Sequence, residues 1–540
     1  MSRLAVARLS GRHGSRAALP GAPTLNRRIP TSAYLVALTA LIAISRAPQL
    51  DSPNLLLDGD EGVLGLMARH AVHGRELPLF FWGQHYGLSL VETVMGALSF
   101  ALFGTGALPL KVAMLALWTA GIWFLFLALS AIVGARRGFL CTCVLLLHPA
   151  WAVWSMKARG GYVTAFTLTA ALLWLVVPRK TPDSVVRWAA AGALSGLIYL
   201  AQPLWLPGVA PIVLVMLWGR RRSTAPIAYA SAAAVVVIAV KLATPVASEA
   251  WSGPALWNPD IWGMRIRLVQ QVYLNLTGAY YLSWALDPPG PITRLLSLGW
   301  SAAIPVLFVA QIYRVTTRRY SRWSHLFAIG AGATLASTWV LLFARDARYL
   351  LPLSGLVVPL AGVEFADLVD RRLISRGVAS SVTAVVLLLG LISMWEFREF
   401  NFLWKNPPGS WSEARRMHQV INALGSRGVR HVFAMNGLLD TQLIFYSDEQ
   451  IISRSASLEE RYPPYVVEVN RALATGEPVA VVGYTDTSGA PGCWDVPICT
   501  GGIAHLVGNP EAIFTVDGKY FVYVGATKAL LGALHFDFPD

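Results

Sequence analysis

The feature that most constrains this chain is a series of long apolar runs separated by short connections rich in arginine. Eleven runs can be read: Pro30–Ser45, Pro109–Val133, Phe139–Met156, Tyr162–Val177, Val186–Leu200, Leu204–Trp218, Pro226–Val246, Leu295–Tyr313, Ser324–Ala344, Tyr349–Phe365 and Val378–Phe397. Runs of this length in a chain that is 55% hydrophobic and only 14% charged read as membrane spans. Lipid offers no partner for backbone polar groups, so such spans are α-helical. The expected fold is therefore a polytopic α-helical membrane protein of about eleven transmembrane helices.

The arginines set the orientation. Clusters occur in the first 28 residues, at Arg136-Arg137, around Arg179-Lys180 and Arg187, at Arg220-Arg221-Arg222, at Arg314 to Arg322, and at Arg371-Arg372 with Arg376. A twelfth apolar stretch, Tyr86–Phe103, carries Glu92 in its middle. If it lies at the interface without crossing, every cluster falls on one side, as the positive-inside rule requires. Residues 1–29 are then a cytoplasmic basic tail, and 30–400 a transmembrane region with interfacial helices in its first outer loop (46–108) and a long aromatic-rich outer loop (247–294). The net charge of +14 is spread between spans, which indicates membrane orientation and excludes nucleic acid as a partner. The expected location is a bacterial inner (plasma) membrane, with the N-terminus in the cytoplasm.

After about residue 400 the hydropathy falls. His431–Met435, Gln450–Ser453, Val479–Tyr484, Ile503–Val507 and Phe514–Val524 read as strands, the last turning at Asp517-Gly518. Trp411–Leu424 and Leu458–Ala474 read as helices. Residues 401–540 are expected to form an extracytoplasmic soluble α/β or α+β domain that walls the site without bringing catalytic groups. Cys493 and Cys499 lie close together in a Gly- and Pro-containing loop of an oxidising compartment, where a local disulfide is expected. Cys141 and Cys143 sit in an apolar run and read as packing residues. Asn275-Leu276-Thr277 matches a glycosylation sequon, a triplet common by chance.

Against that topology a few charges stand out. Asp58, Asp60 and Glu61 crowd the start of a polar helix just after the first span. Capping accounts for one of them at the N-cap and another in the first turn. Lys157, Arg159, Arg345 and Arg348 occupy two very short outer connections, against the positive-inside rule. Snorkelling to lipid phosphate is the plainer account of each. Together, acids and bases on one face at the lipid phosphate level suit a different task. A carboxylate can take the proton of a hydroxyl while arginines hold a departing phosphate. The reaction class is sugar transfer from a polyprenyl phosphate to an acceptor hydroxyl.

The stretches Asp58-Gly59-Asp60-Glu61 with Gly65-Leu66-Met67-Ala68-Arg69-His70, Trp82-Gly83-Gln84-His85-Tyr86, Lys157-Ala158-Arg159-Gly160-Gly161-Tyr162 and Arg348-Tyr349-Leu350-Leu351-Pro352 carry a resemblance. Their order and sidedness resemble the GT-C superfamily of integral-membrane glycosyltransferases, near protein O-mannosyltransferases and the lipid A aminoarabinose transferase. The resemblance covers roughly residues 30–400. It implies an inverting transferase with Asp60 as base, Asp58 as the alternative base, and Glu61 as the third candidate catalytic acid. Arg348 and Tyr349 would hold the donor phosphate with Arg345, Lys157 and Arg159, and Gln84, His85, Tyr86, Glu92 and Tyr162 would contact sugar or acceptor. No cofactor is required, and a divalent cation at the three acids stays open; no dedicated metal site is expected. The implied partners are a polyprenyl-phosphate sugar, a glycan, lipid-linked or protein acceptor, and membrane lipid. A flippase for a lipid-linked glycan predicts ionisable groups through the bilayer midplane and internal repeats, which the sequence lacks. A scaffold with a glycan- or protein-binding outer domain is the other alternative.

Overall fold

In a computed structural model of the chain, the residues described are 29–52, 55, 57–84, 87–178, 184–244, 266–278, 290–317, 321–341, 347–399, 413–437, 439–456, 461–484 and 513–538. The apolar runs are helices. In chain order these are α1 (Thr31–Leu50), α2 (Gly59–Val72), α3 (Leu90–Phe103), α4 (Ala107–Val133), α5 (Ala135–Leu146), α6 (Ala150–Trp154), α7 (Tyr162–Val176), α8 (Val185–Ala201), α9 (Leu206–Trp218) and α10 (Ala225–Ala243). After them come α11 (Leu268–Thr277), α12 (Pro291–Thr316), α13 (Arg322–Leu341), α14 (Leu351–Asp370) and α15 (Arg376–Glu396). Among the described residues six helical segments, Thr31–Leu50, Ala107–Val133, Ala225–Ala243, Pro291–Thr316, Ala347–Asp370 and Arg376–Glu396, are long and apolar enough to cross a membrane. The apolar helices α3, α7, α8 and α9 are shorter.

Two runs differ from their reading in sequence. Phe139–Met156 is not one helix. It breaks at Leu147-His148-Pro149, because proline lacks an amide hydrogen and disfavours helix at the residue before it. His148 Nδ1 then accepts from the Ala150 amide at 3.1 Å. The first run continues past Ser45 to Leu50 and carries a fully buried Arg46. That guanidinium donates to Ser45 Oγ, Ser155 Oγ, Met394 Sδ and the carbonyls of Leu146 and Trp151. A charge read as the start of a loop is thus a tie between α1 and α5, α6 and α15, with its donors met by neutral acceptors.

At the other end of the bundle, Arg314 pairs with Glu364 and Asp367, both at 2.6 Å, and Arg371 with Asp367 at 2.8 Å. Arg314 and Arg371 are thus fastened to carboxylates of α14.

The C-terminal region is a mixed sheet with helices, α16 (Glu413–Gly425), α17 (Leu439–Tyr446), α18 (Pro463–Thr475) and α19 (Lys528–Ala533). Its strands β1 (His431–Ala434), β2 (Ile452–Arg454), β3 (Val479–Tyr484), β4 (Ile513–Val516) and β5 (Tyr520–Val524) run in the order β2-β1-β3-β5-β4. β1 pairs in parallel with β2 and β3, and β5 antiparallel with β3 and β4. Asp517 and Gly518 both have positive φ, 52° and 62°, which is the backbone the Asp-Gly turn predicts. Ile503–Val507, Cys493 and Cys499 lie outside the described residues.

This region does not hang free. One apolar cluster joins Val63, Leu66 and Met67 of α2, Trp82, and Met114 of α4 to Phe433, Phe445 and Phe521 of the C-terminal sheet and its helices. The first loop and the C-terminal domain share a core, and the candidate site sits at that junction.

Candidate active site at the start of α2

Asp58 is the N-cap of α2. Its Oδ1 accepts from the Glu61 amide at 2.9 Å, while Glu61 Oε2 accepts from the Asp58 amide at 3.2 Å. This reciprocal box satisfies two of the donors that a helix start leaves open. The second oxygen of each acid goes elsewhere. Asp58 Oδ2 pairs with Lys157, and Glu61 Oε1 takes the Lys111 ammonium and the Ala158 amide. All four side chains are essentially sealed from solvent. Burial pushes the Asp58 carboxyl up, but Lys157, Arg159 and the hydrogen bonds from Lys157 and the Glu61 amide overcome that and hold it at about 2.

Asp60, two residues along, points differently. Its Oδ2 lies 2.6 Å from Arg159 Nη2 and its Oδ1 3.4 Å from Arg461 Nη2, and its side chain keeps 9% of its exposure. Of the three acids it alone retains a path to solvent.

Lys157 and Arg159 are delivered by the strap 157–161, which is gripped from several sides. Glu61 takes the Ala158 amide, and Gln202 Nε2 donates to the Gly160 carbonyl at 2.9 Å. Glu92, expected to contact sugar, is instead fully buried, and its carboxylate accepts from the amides of Gly161 (3.2 Å) and Thr164 (3.3 Å) and from the Thr164 hydroxyl. It caps α7 from a neighbouring helix. Gly160 and Gly161 both have positive φ, and a Cβ on Gly161 would stand 2.8 Å from the Ala201 carbonyl. The strap can be this tight only with glycine there.

The far face of α2 receives the C-terminal domain. A Cβ on Gly65 would sit 2.4 Å from the Phe445 ring, and one on Gly62 3.2 Å from the Thr441 backbone, so α17 lies directly on the helix. Thr441 Oγ1 donates to the Gly59 carbonyl (2.7 Å), Gln442 Nε2 to the Leu57 carbonyl (2.6 Å), and Arg69 reaches Asp448 at 2.7 Å. Glu449 collects His70 (3.0 Å), Arg75 (2.9 Å) and the Tyr465 hydroxyl (2.9 Å). Burial raises its carboxyl, but the hydrogen bonds from His70 and Tyr465 and the charges of His70 and Arg75 bring it down to about 2. Trp82 is buried and stacked on Tyr462, 4.2 Å between ring centres, so its face is taken by the protein itself.

Among the other expected site residues, Tyr162 is buried against Trp154, and Gln84 is partly exposed in a turn closed by its amide on the Phe81 carbonyl. Arg348 and Tyr349 lie on the 3-10 turn Ala347–Leu350, the guanidinium 5.2 Å over the tyrosine ring. Asn275 of α11 holds that turn by donating Nδ2 to the Ala347 carbonyl at 2.9 Å. The sequon asparagine is therefore a buried structural residue whose amide nitrogen is already engaged. His85, Tyr86 and Arg345 lie outside the described residues.

Two members of the cluster were missed in the sequence. Lys111 had a signal, a lysine inside the apolar run Pro109–Val133. Arg461 had none, because nothing local ties residue 461 to residue 60; it brings a side chain of the C-terminal region to within 3.4 Å of Asp60. As for a cation, Asp58, Asp60 and Glu61 are each matched by lysine or arginine. Among the described residues no group of three or more His, Cys, Asp or Glu is arranged to hold a metal ion.

The chain shares its overall fold with solved structures of the GT-C kind. ArnT of Cupriavidus metallidurans shares it in the apo state, with a TM-score of 0.57 at 15% identity over 92% of this chain and 99% of that one. The same protein bound to undecaprenyl phosphate gives 0.55 at 15% identity over 94% and 100%. The oligosaccharyltransferase of Archaeoglobus fulgidus in complex with zinc and sulfate gives 0.53 at 11% identity over 88% and 70%. No protein-family model and no curated protein sequence matches the chain.

Proposed function

We propose that this protein is a glycosyltransferase that moves a sugar from a polyprenyl-phosphate donor to an acceptor hydroxyl at the outer face of the membrane, with inversion. The observation that carries this reading is the division of labour among three adjacent acids within a GT-C fold. The Asp58 and Glu61 side chains are sealed against lysine, whereas the Asp60 side chain, set between two arginines, keeps 9% of its exposure. ArnT, which binds undecaprenyl phosphate, has the same architecture.

In this mechanism the acceptor O–H gives its proton to the Asp60 carboxylate as its oxygen forms a bond to the anomeric carbon. The bond from that carbon to the phosphate oxygen breaks, and the electron pair leaves with the phosphate. Arg348, joined by Arg345 and Tyr349, is the phosphate ligand, with Arg159 at the acid's side. Lys157 acts at one remove, because its charge is locked against Asp58. A guanidinium fork suits this grip better than an ammonium.

The test uses the full chain in lipid nanodiscs with undecaprenyl-phosphate-linked mannose, glucose and arabinose, following release of undecaprenyl phosphate. Asp60→Asn should lose roughly two to four orders of magnitude in turnover while still binding undecaprenyl phosphate. Near-normal turnover of Asp60→Asn would remove Asp60 from the role of base.

A further inference from the structure

Asp60 is bracketed by two guanidiniums from distant parts of the chain. Arg159 approaches Oδ2 from the strap, and Arg461 approaches Oδ1 from the C-terminal domain, 401 residues away in sequence. The two sides differ in accessibility: the Arg159 side chain is 13% exposed and the Arg461 side chain 35%. Arg461 is nonetheless held in place. Its guanidinium lies 5.3 Å over the Phe81 ring. The next residue, Tyr462, stacks on Trp82, and Tyr465, one helical turn on, is bonded to Glu449. The residues around Arg461 are thus docked on the same loop that carries Asp60, and the more open flank of Asp60 is the one Arg461 covers.

Charge bookkeeping along the reaction gives this arrangement a purpose. When Asp60 takes the acceptor proton its negative charge disappears, and one more negative charge develops on the departing phosphate. The two arginines at the carboxylate then lose its counter-charge, Arg159 keeping Asp58 at 3.8 Å, and their attraction turns toward the phosphate. The longer and more exposed of the two contacts, at 3.4 Å, is the one that yields to let a hydroxyl reach the carboxylate.

We propose that Arg461 is a positioning residue of the active site, supplied by the C-terminal domain, which holds Oδ1 of Asp60 and surrenders it to the acceptor hydroxyl. The site is then incomplete without that domain docked on α2. This inference rests on the reading of Asp60 as the base.

The experiment uses the full chain in nanodiscs as the parent, Arg461→Gln, Arg461→Lys and Asp60→Asn. One readout needs no substrate: the rate of Asp60 labelling at fixed pH by a water-soluble carbodiimide with glycine ethyl ester, quantified by peptide mass spectrometry. The other is undecaprenyl phosphate release from the three donors above. Arg461→Gln should speed labelling severalfold, since the guanidinium that stands at Oδ1 is removed. It should slow turnover roughly 10- to 100-fold, with binding of undecaprenyl phosphate kept. Arg461→Lys should label more slowly than Arg461→Gln and recover part of the rate. Parental labelling or parental turnover in Arg461→Gln overturns the proposal, and an inactive Asp60→Asn alongside it leaves the base reading intact. An active Asp60→Asn brings down the base reading and this role of Arg461 with it.

Discussion

The buried pair Lys111–Glu61 gives the sharpest test of how the site is held. Both side chains are fully buried, and Lys111 stands near the start of α4, in a run that is otherwise apolar for several turns. Replacing Lys111 with methionine keeps the volume and removes the charge, stranding the Glu61 carboxylate. Breaking a buried pair from one side typically costs about 3–5 kcal/mol. Glu61 would still accept the Ala158 and Asp58 amides, at 3.1 and 3.2 Å, so the expected loss is at the lower end, about 3 kcal/mol. With an unfolding entropy of about 2 cal/mol/K per residue, a chain of this size loses only on the order of 3 °C in Tm for that energy. A single melting curve is therefore a weak witness.

The cycle is the stronger one. Lys111→Met and Glu61→Gln should each destabilise, because each leaves one buried charge without its partner. Together they should recover roughly 2 kcal/mol, since the glutamine carbonyl can still accept from the strap. Melting of the four proteins in one detergent, with amide exchange of residues 157–161 followed in parallel, reads both quantities. The double variant should also regain strap protection that either single loses. If Lys111→Met melts with the parent, or if the two losses simply add, the pair is not what positions the strap.

Gly65→Val should place a side chain into the Phe445 ring and lift α17 from α2, at a cost of about 1–3 kcal/mol; faster amide exchange in Leu439–Tyr446 reads it, and Gly532→Ala, which meets open space, is the matched control. The same junction should be sensitive to acid. The Glu449 carboxyl lies below its ordinary value of 4.5, so its contribution is present above that pH and is lost as pH falls toward 2. Between pH 5 and 3 the parent's Tm should fall more steeply than that of Glu449→Gln, and parallel curves would refute the assignment. Glu92→Ala leaves the amides of Gly161 and Thr164 buried without their acceptor, at about 1–3 kcal/mol, while Glu92→Gln keeps one acceptor and should lose less; equal losses in melting would deny the clamp.

What was legible in the sequence followed from local physics. Apolar runs became helices, Asp517-Gly518 turned a hairpin, and acids at the head of a polar helix became its cap and first turn. The break at Pro149 was not read, although a proline inside an apolar run carries the local signal for it. Arg46 was misread for a clear reason: a charge after a span looks like its end until a pocket of neutral acceptors is known to await it. The eight residues Leu439–Tyr446 show no amphipathic period, being buried nearly all round, so α17 was passed over. Yet α17 is the helix that seats the C-terminal domain on α2. Which of three neighbouring carboxylates faces outward could not be read either. That depends on a strap about a hundred residues away and on Arg461 about four hundred away, and no spacing rule connects them.

The choice of buried ion pairs at this place follows from the same geometry. Apolar packing between α2, α4 and the strap would cost less than sealing two carboxylates and two ammoniums away from water. Apolar contacts are tolerant of sliding, however, whereas a carboxylate shared between an ammonium and a backbone amide fixes position and direction together. The strap contributes both kinds of partner, Lys157 to Asp58 and the Ala158 amide to Glu61, so its register against α2 is set at two consecutive residues. Arg159 follows two residues after Lys157, as Asp60 follows Asp58, and the guanidinium meets the remaining acid at 2.6 Å as a consequence of that register. The sealed pairs therefore determine where the open one stands, and substitutions at Asp58 or Lys157 should disturb Asp60 without touching it.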